Sequence, residues 1–345
     1  MTANSHGLRS AADQTEEQRG GARSILSRQS DDHAIVHRLM LDYDDATTPA
    51  ARGEIVAKVS ERALRHAFAE ETVLFPAYRQ HLPEQEDELT AHIEGEHQQI
   101  NELLEDLQGA NPKADDYDAR VRRVFELISS DAREEEDILL PQLQQAVDDV
   151  ELCRIGDAWE AARLASPTRP HPRISRRPPG NVISAGPLAV WDRVRDGLDR
   201  LPGPAHTLAA GLVAGAAGVA AMTLTAKLEQ AVTGRANSYV PSQTLLGLLG
   251  KEPRNSFVLN HVMHWGQGAL LGVVREVMTE RGQQGLAASS AFAAVRLGTD
   301  QLLENGTGVG SPPWTWPLGE LVADVSHKAV YAVVTGLVSD GLARS

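Results

Sequence analysis

One cysteine, Cys153, among 345 residues rules out an intramolecular disulfide framework and fits a reducing compartment. Basic residues are short as well: 33 Lys and Arg against 47 Asp and Glu leave a formal net charge of -14. Such a chain is poorly suited to a broad electrostatic grip on a polyanion, so no nucleic-acid partner is expected. The opening residues, MTANSHGLRSAADQTEEQRGG, lack the apolar run of a secretory signal, and 1–29 reads as a polar, disordered tail. Strand-like alternation is scarce from residue 31 to 163, and no histidine lies between His97 and His171.

What is present is helical periodicity. Apolar residues recur three and four apart through the first half, which points to an all-α fold. A first helix is expected to start at Ser30 or Asp31 as cap and to end before TTPA; others are expected over about 52–80, 86–107 and 114–147, the last bent at Pro141. Short connections make this an up-down-up-down four-helix bundle, followed by a helix over about 151–165. The bundle domain is thus read as 30–165.

Two helix endings share one frame: HAFAEETVLFP from His66 to Pro76, and DAREEEDILLP from Asp131 to Pro141. Residues four apart share a helix face, so His66 and Glu70, and likewise Asp131 and Glu135, can point inward together. With His33 and His97 from the other two helices, six ionisable groups would be buried, and burial without a cation is expensive. Imidazole and carboxylate donors suit iron, manganese or zinc, and carboxylates able to span two ions favour a dinuclear centre with Glu70 and Glu135 as bridges. Glu71, Glu134, Glu136 and Asp137 read as a solvated face, with Glu71 and Glu136 as candidate partners of the ligands; His37 is a candidate ligand or outer donor, and His92 a surface residue.

The segments DDHAIVHRLM, HAFAEETVLFP, EHQQINELL and EEEDILLP, in this order, resemble the four helices of a hemerythrin-like (HHE cation-binding) domain over about 31–150. Matched residue by residue, the resemblance implies His33, His66, Glu70, His97 and Glu135 as ligands of a dinuclear non-haem iron cofactor. Asp131 stands where the family usually has histidine. A more anionic centre favours ferric iron and a lower reduction potential, which argues against simple reversible oxygen carriage. The expected small ligands are oxygen, peroxide, nitric oxide or iron, in sensing or redox-stress buffering. An enzyme acting on peroxide or oxygen and a metal-free, membrane-tethered interaction scaffold are the alternatives. The ferritin-like pattern, Glu-x-x-His, is not the order found here.

Beyond residue 165 the composition changes. Residues 166–203, rich in Pro and Arg, read as an extended linker. Residues 204–345 read as an apolar helical domain with four membrane spans, over about 207–225, 257–277, 285–303 and 321–338. Gly211 and Gly215 form a small-x-x-x-small pair. The polar groups Arg296, Asp300, Asp324, His327 and Lys328 would then face the bundle interior or the interface, and PPWTWP would lie at an interface. The basic linker would hold the first half in the cytoplasm. This second half is vaguely similar to uncharacterised bacterial inner-membrane proteins, and a soluble helical domain is the alternative. His261, His264 and His327 are read mainly as helix-packing groups, with a second metal site as the lesser reading.

Overall fold

The computed structural model describes residues 9–82, 86–177 and 179–343, and among these every regular element is helical. The chain divides into two units, 1–194 and 195–345.

In the first unit, α1 (Ile25–Asp45), α2 (Pro49–Ala69), α4 (Glu86–Leu107) and α5 (Tyr117–Glu134) supply the four rods. A π-helical turn, Glu70–Leu74, joins α2 to α3 (Phe75–His81), and a second, Glu135–Leu139, joins α5 to α6 (Leu140–Ala146). The two copies of the repeated ending therefore adopt the same irregular geometry. In both, a proline follows at the second position of the next helix. In a regular α-turn its ring would collide with the carbonyl four residues earlier, at Thr72 or Asp137; the widened turn admits it, with Phe75 N–H bonding to Glu70 O and Leu140 N–H to Glu135 O.

Each rod carries apolar residues on either side of a polar layer. One cluster gathers Ile25, Leu26, Leu74, Phe75, Ile93, Leu139 and Trp159; another gathers Tyr43, Val56, Ile100, Leu104, Val121 and Val124. Between them in sequence, on every rod, fall the predicted ligands. The trailing α7 (Asp149–Ala165) packs close to the start of α1: a Cβ on Gly156 would meet Arg23 O at 2.2 Å, so only glycine fits.

Two expectations for this unit are corrected. Residues 9–29 are no tail. The cap of α1 is Ser24, whose Oγ accepts from Leu26 N–H, so the helix starts six residues before Asp31 and leaves Ser30 and Asp32 buried within it. Ahead of it Ala11 is buried in the core, and Gln144 Nε2 donates to Gln18 O at 2.6 Å. The first eight residues lie outside those described. Nor is 166–203 an extended linker. Arg177 Nε donates to Glu94 Oε2 at 2.6 Å and Arg176 Nε to Gln98 Oε1 at 3.0 Å, because acidic α4 supplies partners for the arginines. Asp192, on α8 (Gly180–Asp199), accepts from the backbone N–H of Thr168 and Arg169.

The second unit holds α9 (Gly203–Thr233), α10 (Val240–Leu248), α11 (Phe257–Glu280), α12 (Gly285–Gly306) and α13 (Leu318–Leu342). Gly211 and Gly215 do bring helices close: a Cβ on Gly211 would lie 2.4 Å from Val273 Cα, and one on Gly215 would lie 2.4 Å from Gly268 O. All four expected apolar helices form. However, among the described residues only α9 and α13 are long and apolar enough to cross a membrane, which corrects the expectation of four spans. Polar side chains in α11 and α12, including Arg275, Glu276, Arg296 and Asp300, lower their hydropathy, and these four are buried.

Candidate metal centre

The polar layer of the first unit brings together all six residues singled out by the sequence. His33 comes from α1, His66 from α2, Glu70 from the first π-turn, His97 from α4, Asp131 from α5 and Glu135 from the second π-turn. Glu70 and Glu135 are fully buried. His33, His66, Glu70 and Glu135 form one group whose donor atoms lie within 4.8 Å of one another; His97, Asp131 and Glu135 form a second, and Glu135 belongs to both. Glu70 also reaches both groups: Oε1 is 2.9 Å from His66 Nε2 and Oε2 is 3.4 Å from His97 Nε2. Asp131 Oδ2 lies 3.3 Å from His97 Nε2, so the aspartate reaches the same centre despite its short side chain.

Each imidazole is oriented by a carboxylate. His33 Nδ1 is 3.1 Å from Glu136 Oε1, His66 Nδ1 is 2.9 Å from Asp32 Oδ2, and His97 Nδ1 is 3.0 Å from Glu71 Oε1. An ionised carboxylate can only accept, so all three Nδ1 atoms carry the proton and every Nε2 turns toward the shared layer. Asp32 is fixed in turn by Arg62, and Gln29 Nε2 donates to Glu70 Oε1 at 2.7 Å. The rings are also braced by packing: Trp159 lies edge-on to His66, and Phe75 stacks on His97.

The sequence reading missed Asp32 and Gln29 and placed Glu71 and Glu136 on a solvated face. That face is corrected for these two: Glu71 is buried and Glu136 nearly so. The usable signal was the repeat itself, which puts a second glutamate directly after the inward one in both copies. A π-turn lets consecutive residues serve the interior where an α-turn would send one outward. His37 is exposed and His92 sits on the surface beside Glu96 and Glu134. Among the described residues, His261, His264 and His327 join no group of three potential ligands.

Do these residues fit a metal? Several buried donor atoms lack a hydrogen-bond partner: both carboxylate oxygens of Glu135, Glu70 Oε2, Asp131 Oδ1 and His97 Nε2. His33 Nε2 and His66 Nε2 face each other at 3.1 Å. With both Nδ1 atoms protonated, two lone pairs at that distance need a cation between them. Two imidazoles at right angles on one ion, each at about 2.1 Å, would stand about 3.0 Å apart. The donor set therefore fits.

Without metal, protons supply the positive charge. Burial pulls the His33 imidazole down, but Glu135 and Glu136 outweigh it and hold it at about 9. His66 and His97 are raised well above the ordinary value against the same burial penalty, chiefly by Glu70 and Asp32 for His66 and by Asp131 and Glu71 for His97. Burial, reinforced by the neighbouring Glu135, pushes Glu70 up to about 7 and raises Asp131. Glu135 itself is held low against burial by His33 and His66.

A cavity of about 660 Å³ opens onto His33, His66, His97 and Asp131. Val36, Met40, Ile100 and Ile128 line its wall, with Arg19, Arg133 and Arg176 also contributing. It gives a small molecule a mostly apolar approach to the centre.

Residues 24–143 match the Hemerythrin HHE cation binding domain family. A curated protein from Nostoc sp. named DNA nickase is 24% identical over 155 residues, 45% of this chain and 41% of the relative, so the chain spans about two fifths of that protein's length. No solved structure matches. The family match and the clustered donors agree on cation binding by the first unit; the expected likeness of the second half to inner-membrane proteins finds no support in these comparisons.

Two outcomes are expected. Asp32→Asn keeps an acceptor near His66 but removes the charge, and should weaken metal binding roughly 10–100-fold in chelator competition, whereas unchanged affinity would show that Asp32 does not tune the ligand. In chelator, the metal-free protein should lose thermal stability as pH rises. For His33 the folded value of about 9 exceeds the ordinary 6.5, so its contribution is full below about 6.5 and lost through 9; Glu70, raised to about 7, acts in the same direction from 4.5 upward. Thermal unfolding followed by circular dichroism across this window checks the sign.

Proposed function

We propose that the first unit holds a dinuclear non-haem iron centre and uses it to bind oxygen, peroxide, nitric oxide or an iron ion, in sensing or buffering redox stress. In this reading His33 and His66 with Glu70 and Glu135 would hold one ion, and His97 and Asp131 would hold the other together with the two glutamates, which reach both donor groups. One observation carries it: three imidazoles, each tied at Nδ1 to its own carboxylate, direct Nε2 into a layer of buried oxygens that mostly lack hydrogen-bond donors. Mixed nitrogen and oxygen donors suit iron, which when bound supplies a redox couple and an open coordination position.

The protein's own part is to shape access and charge. The largely apolar cavity wall suits small neutral molecules such as oxygen and nitric oxide, and Asp131 in place of a neutral imidazole adds negative charge that favours the more oxidised metal. Nicking of DNA, for which the Nostoc relative is named, is outside this proposal, because a net charge of -14 opposes binding to a polyanion.

The second unit is read as membrane-embedded, with the bundle on the cytoplasmic side. Its polarity supports this: Arg275, Glu276, Arg296, Asp300 and Lys328 are buried, whereas Leu224, Leu270, Leu302 and Leu337 are each more than half exposed. A soluble domain buries its leucines and displays its charges. At 31 residues α9 is roughly 46 Å long, enough to cross a hydrocarbon core of ~30 Å. The basic stretch between Arg169 and Arg177 supports the orientation.

The full chain, loaded aerobically with iron, should hold about two irons per chain that Glu70→Ala and Glu135→Ala release, with loss of the visible absorption. Retention of both irons in either variant would defeat the assignment. For the second unit, the chain should stay with membranes after an alkaline wash; recovery as a detergent-free soluble monomer would refute the embedding.

A further inference from the structure

In the second unit, α9 and α11 bring together a different set of donors. His206, Glu276 and Glu280 each offer one ligand atom, and these atoms lie within 4.8 Å of one another. Glu276 and Glu280 are one turn apart on α11, so both carboxylates face the same side. One oxygen of each is already held by a hydroxyl: Glu276 Oε2 accepts from Ser339 Oγ at 2.6 Å, and Glu280 Oε1 accepts from Thr207 Oγ1. The remaining oxygen of Glu276, Oε1, has no hydrogen-bond partner, although this side chain is 0% exposed. Leaving a carboxylate oxygen buried without a donor is costly. Its neighbour Arg275 does not relieve that cost, since its guanidinium is directed to Asp340 at 2.7 Å.

We infer that His206, Glu276 and Glu280 form a second, mononuclear site for a divalent first-row transition metal, of the class of Fe(II), Mn(II) or Zn(II). The imidazole discriminates against magnesium and calcium, which prefer all-oxygen shells. Ser339 and Thr207 hold the two carboxylates so that one oxygen of each is left for the ion, the role that the paired carboxylates play for the imidazoles of the bundle. His206 is buried and Glu280 is exposed, so the ion is reached from the Glu280 side. The site shares no residue with the bundle centre, and its test is independent of that reading.

The probe is Co(II), titrated optically into the full chain. With Glu70→Ala and Glu135→Ala in place, one equivalent should still bind, and adding Glu280→Gln should weaken it about tenfold or more. In the otherwise unaltered chain, Glu280→Gln should remove one equivalent from the total while leaving the iron absorption of the bundle as it was. That comparison decides the matter if the bundle variants do not fold. Absence of the extra equivalent, or equal affinity with and without Glu280→Gln, would overturn the site. Loss of bundle iron alone would leave it standing.

Discussion

Negative charge sealed inside a helical bundle must be balanced, and the first unit is organised around that requirement. Asp32, Glu70, Glu71, Asp131 and Glu135 are buried at one level, together with Glu136 at its edge and the imidazoles of His33, His66 and His97. Isolated carboxylates in such a place would each cost several kcal/mol even after relaxation. The chain answers by pairing every imidazole with a carboxylate and keeping the imidazoles protonated when no metal is present. Apolar clusters above and below the layer flank it, leave the cavity as its approach, and supply the burial free energy that offsets its cost. The layer is thus a charge vessel: a cation removes protons rather than filling a neutral hole.

Much of this was legible. Spacing of four between His66 and Glu70, and between Asp131 and Glu135, is enough to place each pair on one inward face, and the structure brings all six proposed ligands together. Four things escaped, each for a physical reason. Ser30 and Asp31 looked like caps because capping residues are read locally, whereas Ser24 wins because Ile25 and Leu26 have a core to enter. Asp32, assigned to the helix start, was never considered as a partner for His66, which lies a full helix away in sequence. Glu71 and Glu136 were assigned outward by a strict α-helical period, which the two π-turns break. The arginines of 169–177 looked like linker because composition does not reveal that Glu94 and Gln98 wait across the gap.

The second unit inverts the usual arrangement of polarity. Its helices meet through glycine: Gly211 and Gly215 on α9 against Gly268 and Gly272 on α11, with backbone-to-backbone approach that no larger residue would allow. Close backbones leave little apolar surface to bury between the helices, so the leucines end outside. The charged residues instead pair within the interior, Arg296 and Lys328 both against Asp300. Such packing depends on van der Waals contact and paired charge more than on water exclusion.

His33 and the carboxylate that orients it are 103 positions apart in the chain. During synthesis the first two rods therefore leave the ribosome with their histidines in place and their last partners not yet made. The donor layer is not complete until the chain has passed Glu136, so a centre of the kind proposed would form late in biogenesis. An early ion would find only a fragment of the proposed ligand set, and a full set of these donors requires that all four rods have assembled.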